Sequence, residues 1–455
     1  MKSREARTAA ACVAGLMVAW ATGPVAAVTD AERVSANQQF REAFDAKRYA
    51  DALPLADRVV SLSEEQYGKD NRALVNPLTN RGTVHYRLKD YPAAEKDYER
   101  SIEILEATSG NTDRQLLRPL QGLGAAHFAE QEWVDASVAL KRAIDLSRNI
   151  DGLFNVEQLQ ILEPLIESYV KLDLQTEAEK EQQYALRVAE TAYGRMDARM
   201  LKPLDRYGRW LEQIGRYTSA RLLYARALTI AEQTAGRGTP LAIDPLLGIA
   251  RTYRLEFVNG AEEVSTPQDV FANPDLSGTP VDGVQRLNPD GERALRLALQ
   301  AIEKNQPLDH RKRGETLVEL GDLYMSAGGV PRGLDTYREA WKDLVLAGDT
   351  SLLTAPRMLI YRPPPASAKR STLKPDEAEE RFVEVRYTIT KDGRTDAVES
   401  LPSDATESTQ RSMVSAIKKA RYRPRFENGE AVETTAVTLR EKILVKAKQS
   451  AAKQG

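Results

Sequence analysis

The sequence predicts a mainly α protein, an α-solenoid of paired helices followed by a small α+β unit of order β-β-α-β. Two observations carry the helical part. Ala52, Ala94, Ala136, Ala178 and Ala220 recur every 42 residues, and a Pro-Leu pair recurs beside them at Pro77-Leu78, Pro119-Leu120, Pro164-Leu165, Pro203-Leu204 and Pro245-Leu246. Periods of roughly 20 to 50 residues mark repeats that bury their apolar faces only against their neighbours, and the stack presents an extended binding surface. The third observation is a change of period: beyond residue 375 apolar residues alternate, as in Phe382-Val383-Glu384-Val385-Arg386-Tyr387-Thr388-Ile389, which reads as a strand.

Composition sets limits on function. With 42% apolar and 29% charged residues the chain is globular, and a net charge of -2 offers no global attraction for nucleic acid. At the N-terminus Lys2, Arg4 and Arg7 precede an apolar run over 8–20, a break at Gly23-Pro24 and the small residues Val25-Ala26-Ala27. These are the parts of a secretory signal peptide, 1–27, with cleavage after Ala27. The alternative is an uncleaved anchor, because an apolar span of about 20 residues can cross a bilayer. No later segment is long and apolar enough to do so. The single cysteine, Cys12, lies within the leader, so the exported chain would hold no disulfide. That is compatible with a bacterial periplasm for a chain long enough to build a large core.

Superposing the repeats on their alanines exposes the helices. Twelve residues before the alanine stand Gly82, Gly124, Ile166 and Gly208, with Leu78, Leu120, Leu162 and Leu204 four residues earlier and His85, His127, Tyr169 and Leu211 three later. That is one helix with a small face for close approach. Tyr98, Leu140 and Tyr224, then Ala143, Ala185 and Ala227, follow the alanines at helical spacing and form the second. Proline in the first turn of a helix loses no hydrogen bond. Pro164 lies three residues out of register and Ile166 replaces a glycine, so the fourth unit is expected to tilt or to start its first helix differently.

This leucine, small residue, aromatic, alanine pattern resembles the tetratricopeptide repeat, in the 42-residue form of the kinesin-light-chain type. The resemblance covers about 35–257, and a further unit over 309–346 shows Gly321, Tyr324, Gly333, Tyr337 and Ala340. The solenoid thus occupies 28–348. It is interrupted over 258–289, where Gly260, Asn273-Pro274, Gly278, Pro280 and Gly283 mark a long loop; a helical pattern over 292–304 supplies the missing second helix. Pro356, Pro363-Pro364-Pro365 and Pro375 make 349–375 an extended, semi-rigid linker.

The C-terminal unit, 376–446, has its first strand, a turn at Lys391-Asp392-Gly393, a helix over 406–420 and a last strand over 434–445, followed by a tail, 447–455. With Arg421-Tyr422-Arg423-Pro424-Arg425-Phe426-Glu427-Asn428-Gly429 after the helix, it resembles the TonB C-terminal domain. The Tyr-Pro pair that often opens that family's domain is replaced by Lys374-Pro375. The resemblance implies binding of partner peptides by strand addition, which an exposed strand over 436–445 would permit.

Catalysis finds little support. The histidines are His85, His127 and His310; the first two share one repeat position, which reads as packing rather than a ligand pair. No spacing typical of metal ligands appears. Ser415-Ala416-Ile417-Lys418 lacks the companion motifs of Ser-x-x-Lys enzymes, and Gly122-Leu123-Gly124 lacks the strand that a dinucleotide site needs. No enzyme activity, metal or cofactor is expected.

The tetratricopeptide resemblance implies that first helices line the groove, which places Asn76, Arg87, Arg118, Lys202, Arg209, Arg251 and Arg254 there as partner-binding candidates. Glu163, Glu167, Asp205, Glu212 and Asp244 share that face, so its charge is mixed. The expectation is a non-catalytic periplasmic adaptor with protein or peptide partners in the cell envelope. The alternative is an inner-membrane-anchored energy transducer of the TonB type, coupled to an outer-membrane transporter, with the leader retained. Mass spectrometry of the protein extracted from cell envelopes separates the two: a soluble chain starting near Val28 is expected, and an intact leader in the membrane fraction selects the transducer.

Overall fold

The computed structural model describes residues 30–260, 289–368 and 378–446. The leader, nearly all of the 258–289 loop, the end of the linker and the tail lie outside the described residues. The chain divides into two compact units, 1–183 and 184–455, at a point within one helix.

In the first unit the 42-residue period becomes helices Asp30–Asp45 (α1), Tyr49–Tyr67 (α2), Val75–Arg87 (α3), Tyr91–Ser109 (α4), Leu117–Ala129 (α5), Trp133–Asp151 (α6) and Gln158–Lys171 (α7). The dividing helix is Gln175–Tyr193 (α8). Gly68, Gly110 and Gly152 follow α2, α4 and α6 with φ of 86°, 79° and 85°, a conformation that glycine adopts without a Cβ penalty. Three residues later comes an Asx turn: the Asn71 side chain accepts from the Ala73 N–H and Asp113 from Gln115, both at 2.9 Å, giving the first-helix donors a partner. The small sites do what their spacing suggests. The Tyr98 ring of α4 packs over Gly82, and a Cβ on Gly122 of α5 would overlap the same ring. The fourth first helix differs as its proline implies: α7 starts at Gln158, with Pro164 inside it.

The second unit continues with Leu201–Gln213 (α9), Tyr217–Ala235 (α10), Ile243–Asn259 (α11), Pro289–Lys304 (α12), His310–Ser326 (α13), Val330–Leu346 (α14) and the short Ser351–Thr354 (α15). Here α12 is the second helix expected after the loop, and α13 and α14 are the further repeat.

Strands follow: Arg357–Ile360 (β1), Ala378–Ile389 (β2), Thr395–Ser400 (β3), helix Glu407–Lys418 (α16), Arg421–Arg423 (β4), Arg425–Glu427 (β5), Glu430–Val432 (β6) and Thr434–Lys446 (β7). The main sheet is antiparallel with order β3-β2-β7, and the expected β-β-α-β order is its frame. Val383, Val385, Tyr387 and Ile389 alternate into a core with Met413 and Ile417 of α16. Gly393 is required in the β2–β3 turn: its φ is 75°, and a Cβ would overlap the Tyr422 carbonyl.

The described part of the expected linker is not a free spacer. Strand β1 pairs antiparallel with β4, and Leu353 and Leu359 are buried with Leu317, Tyr337 and Leu344 of the last helix pair and Phe426 of β5. Residues 366–368 then run along β7, with Ala368 N–H donating to the Lys442 carbonyl and Leu444 N–H to that of Ala366, both at 2.9 Å. Its apolar residues decide where it packs.

One polar contact lies in this junction. Arg423, 3% exposed, donates from Nη1 to both carboxylate oxygens of Asp322, which is fully buried, at 3.2 and 3.3 Å. The Tyr337 hydroxyl donates to Asp322 Oδ1 at 2.7 Å, and its ring meets Phe426 edge-on at 5.7 Å. Replacing Arg423 with Met leaves a buried carboxylate uncompensated and is expected to cost about 3–5 kcal/mol in urea unfolding. Adding Asp322→Asn, which still accepts from Tyr337, should restore most of that loss.

Candidate functional site

In the first unit α1 and α3, with Arg118 of α5, line an open cavity of about 520 Å³, within the ~300–1,000 Å³ usual for ligand sites. Its apolar part comes from Phe40 and Phe44 of α1, whose rings lie 5.7 Å apart, and Val59 of α2. Its polar part comes from Asn37, Asn76, Asn80 and Thr83, and its charge from Arg33, Arg41, Arg118 and Asp45. The helical period explains the placement: positions 76 and 80 are one turn apart on α3, and 118 is the 42-residue equivalent of 76.

Several of these groups are uncommitted. Asn37, Asn76 and Arg41 make no hydrogen bond or ion pair among the described residues, while exposed Arg118 touches only Asn80, its Nη2 donating to Oδ1 at 3.2 Å. Arg33 is engaged, donating to Gln66 at 3.1 Å and pairing with Asp30 at 3.3 Å. A free carboxamide carries a donor and an acceptor, the complement of one peptide unit, and arginines outnumber carboxylates around the cavity.

Of the sequence candidates, Asn76 and Arg118 therefore come together over one cavity. Arg87 is exposed at the end of α3 and is not among the cavity residues. In the second unit Lys202 is exposed and free of ion pairs among the described residues, but the arginines are tied to neighbouring acids. Arg209 Nε donates to Asp205 at 2.8 Å, one turn away. Arg251 of α11 donates to Glu212 of α9 at 2.7 Å and to the Tyr224 hydroxyl at 3.3 Å. Desolvation works to lower the Arg251 pKa, yet hydrogen bonding and charge from Glu212 leave it raised. Arg254 is 8% exposed and paired with Glu319 at 3.4 Å, inside the packing rather than on a groove wall. Sequence reasoning missed Asn37, Phe40 and Arg41; the signal was available, since α1 is the first helix preceding α3 in the same period.

Residues 43–149 and 206–241 match family models described as the tetratricopeptide repeat. These two segments carry tetratricopeptide repeats. No curated protein sequence matches it. Among solved structures, the kinesin-light-chain TPR-like repeats of Podosopora anserina align at 14% identity and a TM-score of 0.41, over 45% of this chain and 97% of theirs. BtubC of P. vanneervenii aligns at 15% identity and 0.35, over 70% and 93%. A Rap protein complexed with Competence and Sporulation Factor aligns at 13% and 0.34, over 71% and 79%.

The two kinds of arginine in these tetratricopeptide helices should separate in a stability assay. Arg118→Ala is expected within about 0.5 kcal/mol of the parent in urea unfolding. Arg251→Ala leaves Glu212 and Tyr224 without their partner and should cost about 1.5–3 kcal/mol.

Proposed function

We propose that the protein is a non-catalytic adaptor of the cell envelope that holds an extended, acidic segment of a partner protein in the cavity between α1, α3 and α5. The observation that carries this reading is the set of uncommitted groups around an apolar floor. Asn37 and Asn76 can each pair with one peptide unit of an extended chain. Arg41 and Arg118 favour carboxylates, and the half-buried Phe44 ring offers an apolar contact.

The C-terminal unit supplies a second contact surface. In the β3-β2-β7 sheet, β7 is an edge strand whose outer side at Thr438 and Arg440 has no backbone partner among the described residues. Such an edge suits strand addition, the mode that the TonB-like resemblance implies. On this reading the N-terminal leader exports the chain, and both surfaces face the periplasm. No helix among the described residues is long and apolar enough to cross a membrane. The energy-transducer reading needs the β unit to extend away from the repeats, whereas the Arg423–Asp322 bond holds it against α13; this favours the adaptor.

Fluorescence anisotropy with labelled extended peptides, acidic and sequence-matched neutral, tests the groove. Acidic peptides are expected to bind with an affinity that falls as salt rises. Asn76→Ala should weaken binding about tenfold, the ~1.4 kcal/mol of one good hydrogen bond. Arg118→Glu should abolish the preference for acidic peptides. Equal binding of neutral and acidic peptides, or indifference to both substitutions, removes the proposal.

A further inference from the structure

Outside the groove, one corner of the first unit gathers metal-ligating side chains from three helices. Glu95 lies in α4, His127 in the last turn of α5, and Glu132 at the N-cap of α6. His127 Nδ1 is 2.7 Å from Glu132 Oε2 and 3.0 Å from Glu95 Oε1, and the three ligand atoms lie within 4.8 Å of one another. Glu130 adds a further carboxyl, hydrogen-bonded to that of Glu95. The ring presents one nitrogen here, and a single N–H points along one line. Glu132 Oε2 lies in line with that nitrogen, and Glu95 Oε1 is left buried with no hydrogen-bond partner. A buried acceptor in that condition is costly. One cation at the centre of the three would satisfy all of them.

The repeat itself provides a comparison. Forty-two residues earlier, His85 stands where His127 stands and Asp90 where Glu132 stands, 3.3 Å apart, but Leu53 occupies the position of Glu95. One repeat later the equivalents are Ser137, Tyr169 and Leu174. A full ligand set therefore occurs at a single junction of the period. It cannot be dismissed as a feature that the packing requires, because the preceding junction folds with leucine there.

We propose that Glu95, His127 and Glu132 form a zinc site. One imidazole nitrogen with two carboxylate oxygens suits zinc, whereas calcium and magnesium prefer all-oxygen sets. Tetrahedral bonds of about 2.0–2.2 Å hold ligand atoms roughly 3.3 Å apart, so the side chains must open by a few tenths of an ångström. Glu132, with its side chain 49% exposed, has the freedom to do so. The ion would join the second helix of one repeat to both helices of the next, a cross-link that stabilises the bound form by mass action.

Isothermal titration of zinc chloride into the tag-free full chain, after dialysis against a chelator, is the test. The expected result is one equivalent bound with micromolar affinity, no binding of magnesium or calcium, and a melting temperature that rises until one equivalent is reached. Glu95→Leu, which copies the residue at position 53, and the surface change Glu132→Gln should each weaken binding at least tenfold. Cobalt in place of zinc should give the visible absorption of a four-coordinate nitrogen and oxygen site, lost in His127→Phe. Absence of binding, or equal binding by the parent and both glutamate variants, overturns the proposal. Circular dichroism of Glu132→Gln, whose side chain touches solvent, separates loss of the site from loss of the fold.

Discussion

A carboxylate and a guanidinium that water does not reach decide how the last helix pair and the β unit are joined. Removing Asp322 and Arg423 from solvent carries a desolvation cost of several kcal/mol per ion, which their attraction offsets only with good geometry and with the remaining lone pairs occupied. The structure meets them in part: Arg423 Nη1 reaches both oxygens and the Tyr337 hydroxyl occupies Oδ1, while Arg423 Nε is buried with no hydrogen-bond partner. Desolvation pushes the Asp322 carboxyl above its ordinary value against the pull of Arg423. Each partner left alone would be a buried charge, so β4 and α13 are held in one arrangement. Around this bond close the apolar contacts of Leu353, Leu359, Phe426 and Ala431 with α13 and α14. A terminal helix pair of a repeat array has an apolar face with no next repeat to cover it; in this chain the β unit covers it.

That junction also shows where local reading of a sequence stops. The 42-residue period locates the helices because each helix is fixed by contacts a few residues or one repeat away, and the alternation of β2 locates a strand because its burial is one-sided. Residues 349–368 give the local signals of a spacer, yet they hold the short helix α15 and the strand β1. What fixes them is pairing between Arg357 and Arg423, more than sixty residues apart, and burial of Leu359 among residues from Leu317 to Phe426, contacts that no short window along the chain contains. Other signals were periodic and legible, such as the glycines at 68, 110, 152, 194 and 236 and the cap residues Asn71, Asp113, Asn155 and Asp197, each set spaced by 42.

The candidate site divides in the same way. Spacing places Asn76, Arg118, Arg209 and Arg251 on equivalent helices, but whether an arginine is available depends on an acid that the period does not predict. Glu212 captures Arg251 across 39 residues, and Asp205 captures Arg209 across one turn. Among the described residues nothing comparable faces Arg41 or Arg118. Free side chains over an apolar floor represent binding potential that the fold has not used, whereas paired ones have already contributed to stability.

The period therefore specifies the scaffold, and its exceptions specify what the scaffold does. Where the repeats agree, as at the alanines, the glycines and the tyrosine rings packed on them, each side chain serves the contact between neighbouring helices. Where they differ, packing no longer dictates the residue. Position 95 is glutamate where its equivalent, 53, is leucine, and that one departure turns a histidine–carboxylate pair into a three-ligand corner. Position 76 is asparagine and 118 is arginine, but their equivalent in α1 is the exposed Val34, and the polar wall of the cavity is built instead from Asn37 and Arg41 one turn along. A repeat protein can change its ligands at such positions without disturbing its fold, since the contacts that hold the helices together lie on other faces. That separation gives the substitutions at Asn76, Arg118 and Glu132 their meaning: their effects belong to binding because the packing does not depend on them.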